Sequence, residues 1–180
     1  MTPSLERQAS LRRQYLAEPA LALSVKHVRT IQGPYTDEAH GRVCSTGFPA
    51  AHIDYGLDAK VGGLDDLPNP GHILCAALAA CLESTTRMVC AHRGLAIERL
   101  VVDVVGDVDV RGCMAMTSAV RPGFRGITAT LDLGLAGAPA GVAGFVIEQV
   151  VRLCVTLDTL RNGVPVRVER SGDAPHAGAV

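Results

Sequence analysis

Cys81 and Cys154 each sit inside an apolar run of helical spacing, PNPGHILCAALAACLESTTRMVCAHRG and FVIEQVVRLCVTLDTLRNG. A thiol among Ala and Leu is most often a small hydrophobe, because free cysteine is among the most buried residue types. Two thiols brought together by a fold have a second chemistry. One, as thiolate, attacks a peroxide oxygen and becomes a sulfenic acid, which the other captures as a disulfide. Cys81 lies about three turns inside its helix, where the helix dipole has faded. Its activation therefore needs a cation or a hydrogen-bond donor from another part of the chain.

Other residues admit chemical readings beside structural ones. His72 can be a helix-start residue facing solvent or a partner, or an imidazole serving a thiol as base or cation. Cys75 and Cys90 share the Cys81 helix but lie about 120° and about 180° around it, which makes them structural, as are Cys44 and Cys113 on predicted strands. Glu83 and Arg87, two and six residues from Cys81, do not stack on it at helical spacing and read as polar edges. Asp103, Asp107 and Asp109 alternate with Val, the pattern of a solvated sheet face rather than a calcium site. His92 complements the dipole at a helix C-terminus.

The elements that must position these groups are drawn from 180 residues, enough for one domain with a real core. Hydrophobic residues make up 48% and aromatic residues 3%, with no Trp, so the core is aliphatic and nucleic-acid stacking platforms are not suggested. A net charge of −1 without runs of one sign offers neither a nucleic-acid groove nor a polybasic membrane patch. No uninterrupted apolar run approaches the ~18 residues of a membrane helix, and the N-terminus lacks a signal-peptide stretch. The expected location is the cytoplasm, where six cysteines without a C-x-x-C pair stay reduced.

Residues 1–20 read as a polar helical arm closed by Pro19, residues 21–171 as one domain, and 172–180 as a tail. LALSVKHVRTIQ, RVCSTGF and AHIDYGL alternate as strands. Asn69 and Pro70 open a helix that runs to His92 and stops at Gly94. IERLVVDVVGDVDV, CMAMTSAV and FRGITATLDLGL follow as strands. A second helix is expected from about Pro139 to Leu160, then VPVRVER as a last strand before the tail SGDAPHAGAV. Runs of strands between helices give an α+β class rather than a doubly wound sheet.

The segment Asn69-Pro70 through Ala79-Ala80-Cys81 resembles the first cysteine motif of the OsmC/Ohr family, N-P-x-x-[IL]-x-x-A-x-x-A-A-C. Cys154-Val155-Thr156-Leu157-Asp158-Thr159-Leu160 resembles the second, and GDVDVRG with PGFRGITATLDL fits the strands between. The resemblance spans roughly residues 21–170 and leaves the arm outside. It implies an OsmC-like fold, antiparallel strands with two core helices, in an intertwined homodimer with sites at the subunit interface. It also implies a thiol peroxidase acting on organic hydroperoxides, with Cys81 peroxidatic, Cys154 resolving, and a dithiol such as a dihydrolipoyl group as reductant. No prosthetic group is implied.

The chain departs from that pattern at two supporting positions. The family's organic-hydroperoxide enzymes carry Glu after the Asn-Pro pair, where this chain has Gly71, followed by His72. They also use an Arg in the first hairpin; the nearest is Arg42 in AHGRVCS, offset from the family position, here Ala39. Arg42 thus reads either as a surface strand residue or as the site's arginine, and His72 as its possible substitute for the missing carboxylate. Two functions stay open: the thiol peroxidase, or a non-catalytic dimer binding a small hydrophobic ligand in an interface cleft. A cysteine acyl-transfer enzyme with His72 as base lacks an orienting group.

Overall fold

A computed structural model describes residues 3–171. The elements in order are α1 (Pro3–Ala17), β1 (Val28–Ile31), β2 (Gly41–Ser45), β3 (Phe48–Tyr55), α2 (Pro70–His92), β4 (Ile97–Val108), β5 (Phe124–Leu135), α3 (Val142–Leu153) and α4 (Val155–Asn162). They form two antiparallel sheets, β1-β2-β3 and β4-β5, with α2 between them in sequence.

α2 is fixed at both ends by local chemistry. Asn69 Oδ1 accepts from the His72 N–H at 3.0 Å, and His72 Nδ1 accepts from the Asn69 N–H at 3.3 Å, a reciprocal cap at the helix start. Gly94 then takes φ +65°, ending the helix where side chains are disfavoured. Leu78, Leu82, Thr86, Val89 and Cys90 form its buried stripe. The Thr86 hydroxyl donates to the Leu82 carbonyl at 2.8 Å, so this buried polar side chain is satisfied.

The core lies where this stripe meets Val146 and Val150 of α3, Cys154, and the inner face of β4-β5. Cross-strand pairing sets Leu100 opposite Leu133, Val102 opposite Leu131 and Val104 opposite Ala129 on that face. The alternate residues Val101, Asp103 and Val105 face outward, as the period-two pattern requires. By length and composition α2 does match a membrane-spanning helix, contrary to the expectation above. Its apolar stripe is instead the centre of a protein core, packed on α3 and the sheet.

Four predicted elements differ. CMAMTSAV is a turn-rich connection between β4 and β5 rather than a strand. Asp109 accepts the Arg111 N–H at 3.1 Å and turns the chain, and Met114 and Met116 hydrogen-bond back to Val110 and Arg111. The helix expected over 139–160 is two helices, broken at Cys154, whose backbone is extended at φ −76°, ψ 109°. The β-branched Val155-Thr156 pair that follows weakens helix continuity there. VPVRVER forms no strand, since its alternating valines find no neighbouring edge within the chain; Val164, Val166 and Val168 are all exposed. LALSVKHVRTIQ contributes only the four residues of β1. Of the predicted tail, 172–180 lie outside the described residues.

Candidate functional site

The break at Cys154 builds the site. Ending α3 and starting α4 at one extended residue leaves the first N–H groups of α4 without helical partners. The backbone of Thr156 and Leu157 at the start of α4 pulls the Cys154 thiol down. Hydrogen bonding from Thr156, Cys154 and Thr85 pulls the Cys81 thiol down. The two thiols act on each other in opposite directions, Cys154 lowering Cys81 and Cys81 raising Cys154. Both are free thiols.

The pair is asymmetric. Burial pushes the Cys81 thiol up, but the donors from Thr156, Cys154 and Thr85 outweigh it and hold the thiol below its ordinary value. Burial pushes Cys154 up, and its role as the proton donor to Cys81 adds to that shift. Cys154 is fully buried and Cys81 only partly so. The more acidic sulfur is therefore the more accessible one.

Neither supporting residue singled out in the sequence meets Cys81 within the chain. His72 is nine residues upstream on the same helix, about 14 Å along its axis, and its Nδ1 is occupied by the Asn69 N–H. Arg42 lies on β2, where its Nη2 donates to Asp54 Oδ2 at 2.8 Å and its Nε to Asp54 Oδ1. The two residues are directly opposed across β2 and β3. The Arg42 guanidinium and the hydrogen bond from Tyr35 hold the Asp54 carboxyl at about 2 against the effect of burial.

Gly71, where a carboxylate was expected, has no room for one without rearrangement. A Cβ there would lie 3.0 Å from Asn69 Oδ1, the capping atom of α2, and 3.3 Å from the Phe124 ring. Cys75 and Cys90 stand apart from the pair: a Cβ on Gly106 would meet Cys75 Sγ at 3.2 Å, and Cys90 is buried, with its thiol raised by burial. Cys113, placed on a strand by the sequence, is an exposed turn residue whose thiol donates to the Val110 carbonyl at 3.1 Å. Thr156 and Thr85 were missed. Their signal was the β-branched residue two positions after Cys154 and the hydroxyl one helical turn beyond Cys81.

Two hollows lie against α2. One, about 660 Å³, is lined by Leu74, Leu78, Phe124 and Leu157, with Arg121 and Arg161 on its wall. The other, about 500 Å³, lies between α1 and α2.

A half-buried thiol held below its ordinary value, with a buried thiol held above its own, marks the centre of this α+β fold. The sequence profile of the OsmC-like protein family matches residues 63–169. The chain belongs to the OsmC-like protein family. Among solved structures it is similar to an organic hydroperoxide resistance protein from Elizabethkingia anophelis (TM-score 0.58, 19% identity, 78% of this chain and 91% of that one). It is also similar to an OsmC-like protein from Mycoplasma pneumoniae (TM-score 0.60, 15% identity, 78% and 89%). A third is an OsmC-like protein of unknown function from Vibrio cholerae (TM-score 0.61, 11% identity, 76% and 94%). At these identities the likeness is one of fold. No curated protein matches the chain.

Proposed function

We propose that this protein is a thiol-dependent peroxidase that reduces organic hydroperoxides, with Cys81 peroxidatic and Cys154 resolving. The observation that carries this reading is the convergence of Thr156, Thr85 and Cys154 on the Cys81 sulfur, which lowers that thiol alone of the pair. The Cys81 thiolate attacks the distal oxygen of ROOH. The O–O bond breaks, an S–O bond forms, and the alkoxide leaves as ROH after taking a proton. Cys154 then attacks the Cys81 sulfenic sulfur, an S–S bond forms, and water leaves. A dithiol such as a dihydrolipoyl group reduces the disulfide by two exchange steps, itself becoming the disulfide. In this mechanism Thr156 and Thr85 take the place of a cation: neutral donors stabilise the thiolate. His72 and Arg42 have no assigned step.

The working form in this reading is an intertwined homodimer in a reducing cytoplasm. A compact monomer of 18.8 kDa exposes roughly 8,300 Å², whereas this chain exposes 13159 Å². Phe48, Val28, Val101 and Val105 are among the large apolar side chains left in solvent, and β1-β2-β3 shares no ladder with β4-β5. A second copy is the natural cover for such surface.

Cumene hydroperoxide at one equivalent tests the chemistry. It should consume two thiols and give a Cys81–Cys154 disulfide seen by peptide mass spectrometry. Cys81→Ser should abolish turnover, and Cys154→Ser should leave a dimedone-reactive sulfenic acid. Thiols unchanged after peroxide would reject the reading. The 660 Å³ apolar hollow favours the second reading, a non-catalytic dimer that binds a small hydrophobic ligand; peroxide-inert thiols with saturable binding of such a ligand would select it.

A further inference from the structure

α1 buries no residue of its own, yet it is tied to the far half of α2. Gln8 Nε2 donates to Met88 Sδ at 3.7 Å, and Gln8 Oε1 accepts from His92 Nε2 at 2.5 Å. Between the two helices is the hollow of about 500 Å³, within the size range of small-molecule sites. Leu11, Arg12 and Tyr15 of α1 form one wall, and Thr85, Met88 and Leu153 lie opposite.

That opposite wall adjoins the two thiols along the chain. Thr85 is one of the donors to Cys81, Ser84 beside it donates to the Cys81 carbonyl at 3.1 Å, and Leu153 directly precedes Cys154. The helix that closes the hollow lies before residue 63, where the family match begins. The hollow thus has one wall outside the residues matched to the family and one wall inside them.

We propose that α1 is a specificity wall for the Cys81 site, holding the apolar body of a bulky alkyl or aryl hydroperoxide between Leu11 and Tyr15 on one side and Met88 and Leu153 on the other. The proposal rests on the peroxidase reading for the identity of the substrate, not for the existence of the wall. A body of that shape gains apolar contacts that a small peroxide does not make. Leu11 and Tyr15 discriminate between substrates and take no part in the sulfur chemistry.

The test uses the full-length protein with Leu11→Trp, which fills the hollow, and Tyr15→Ala, which opens it. Leu11→Trp should lower kcat/KM for cumene hydroperoxide roughly tenfold, the scale of a lost apolar contact of about 1.4 kcal/mol, and leave hydrogen peroxide within about twofold. In parallel, Cys81 alkylation by N-phenylmaleimide and by iodoacetamide is followed by peptide mass spectrometry, which needs no turnover. Leu11→Trp should slow the bulky reagent selectively, and Tyr15→Ala should move the ratio the other way. If no hydroperoxide is turned over but the alkylation ratio shifts in both directions as stated, the wall stands and the peroxidase reading falls. If turnover occurs and neither ratio moves in either variant, the wall is overturned and the peroxidase reading stands. Equal loss with large and small reagents also overturns the wall, since it places the effect at the sulfur itself.

Discussion

Thr156 lowers the Cys81 thiol through both its hydroxyl and its backbone N–H. Both come from the second residue of α4, and they are available because the chain leaves helical geometry at Cys154. The half-buried thiol is thus lowered by a helix start delivered from the far end of the domain.

Removing the Thr156 hydroxyl should make Cys81 less acidic. Thr156→Val keeps the shape and the N–H but loses one donor to the thiolate, a bond worth about 1.5 kcal/mol or more when one partner is charged. The alkylation rate of Cys81 at pH 7 should fall roughly tenfold, with its pH profile moved upward. An unchanged profile would remove Thr156 from the site.

The core should be sensitive at the contact between α2 and α3. Leu78 is 2% exposed and Val146 and Val150 are fully enclosed. Leu78→Ala should cost about 2–5 kcal/mol by cavity creation, read as a shift in urea midpoint at fixed protein concentration. Leu16→Ala, at an 86% exposed position on α1, should change it by less than about 0.5 kcal/mol.

His40 should make the protein's stability depend on pH. Its Nδ1 lies 2.7 Å from Asp37 Oδ1 and its Nε2 3.0 Å from Asp66 Oδ1, with the Tyr35 ring stacked on it at 5.1 Å. Hydrogen bonds donated to Asp66 and Asp37 raise the imidazole above its ordinary 6.5 despite burial. The same bonds lower both carboxyls from 3.8. A raised His stabilises the fold fully below about 6.5 and loses that contribution as pH rises through its folded value. The lowered carboxyls stabilise it above about 3.8 and lose theirs as pH falls through their folded values. Around the cluster, Tyr35 also meets Asp54 and Arg42, whose pairing persists across this range. The Tm difference between the parent and His40→Asn should therefore be largest near pH 5–6 and shrink toward pH 9. A flat difference would mean that the imidazole is held by packing alone.

Gly71→Glu should not supply the missing carboxylate without cost. The new Cβ presses on Asn69 Oδ1 and Phe124, so the α2 cap is disturbed, an effect of about 1 kcal/mol. The expected result is a lower Tm with no gain in Cys81 acidity. A gain in both would show that Phe124 yields.

Much of the fold was readable because its signals are local. The Asn69-Pro70 start and the Gly94 stop of α2 come from capping chemistry that depends on a few residues, and the Val–Asp alternation of β4 records one dry face and one wet face. CMAMTSAV and VPVRVER failed because β pattern states only what a strand needs, not whether an edge is available. The Cys81–Cys154 pairing came from motif resemblance, while its activation did not. Arg42 and His72 were natural choices as charged or titratable groups, but Arg42 is held by Asp54 and His72 by Asn69. Thr156 is neutral and seventy-five residues away from Cys81 in sequence. Only the chain break at Cys154 turns it into a donor, and no composition or periodicity records that bend.

The position of Cys154 also has a mechanical meaning. It is the pivot between α3 and α4, and Cys81 lies on α2. A bond between the two sulfurs would rivet three helices at one point and close a loop from residue 81 to 154, which a chain-entropy account values at about 4 kcal/mol. The oxidised protein would then be the stiffer and more heat-resistant form, so cycling between the two redox forms would carry the domain through alternating slack and braced states, and a differential scan of the two forms would read that difference as a gap in Tm.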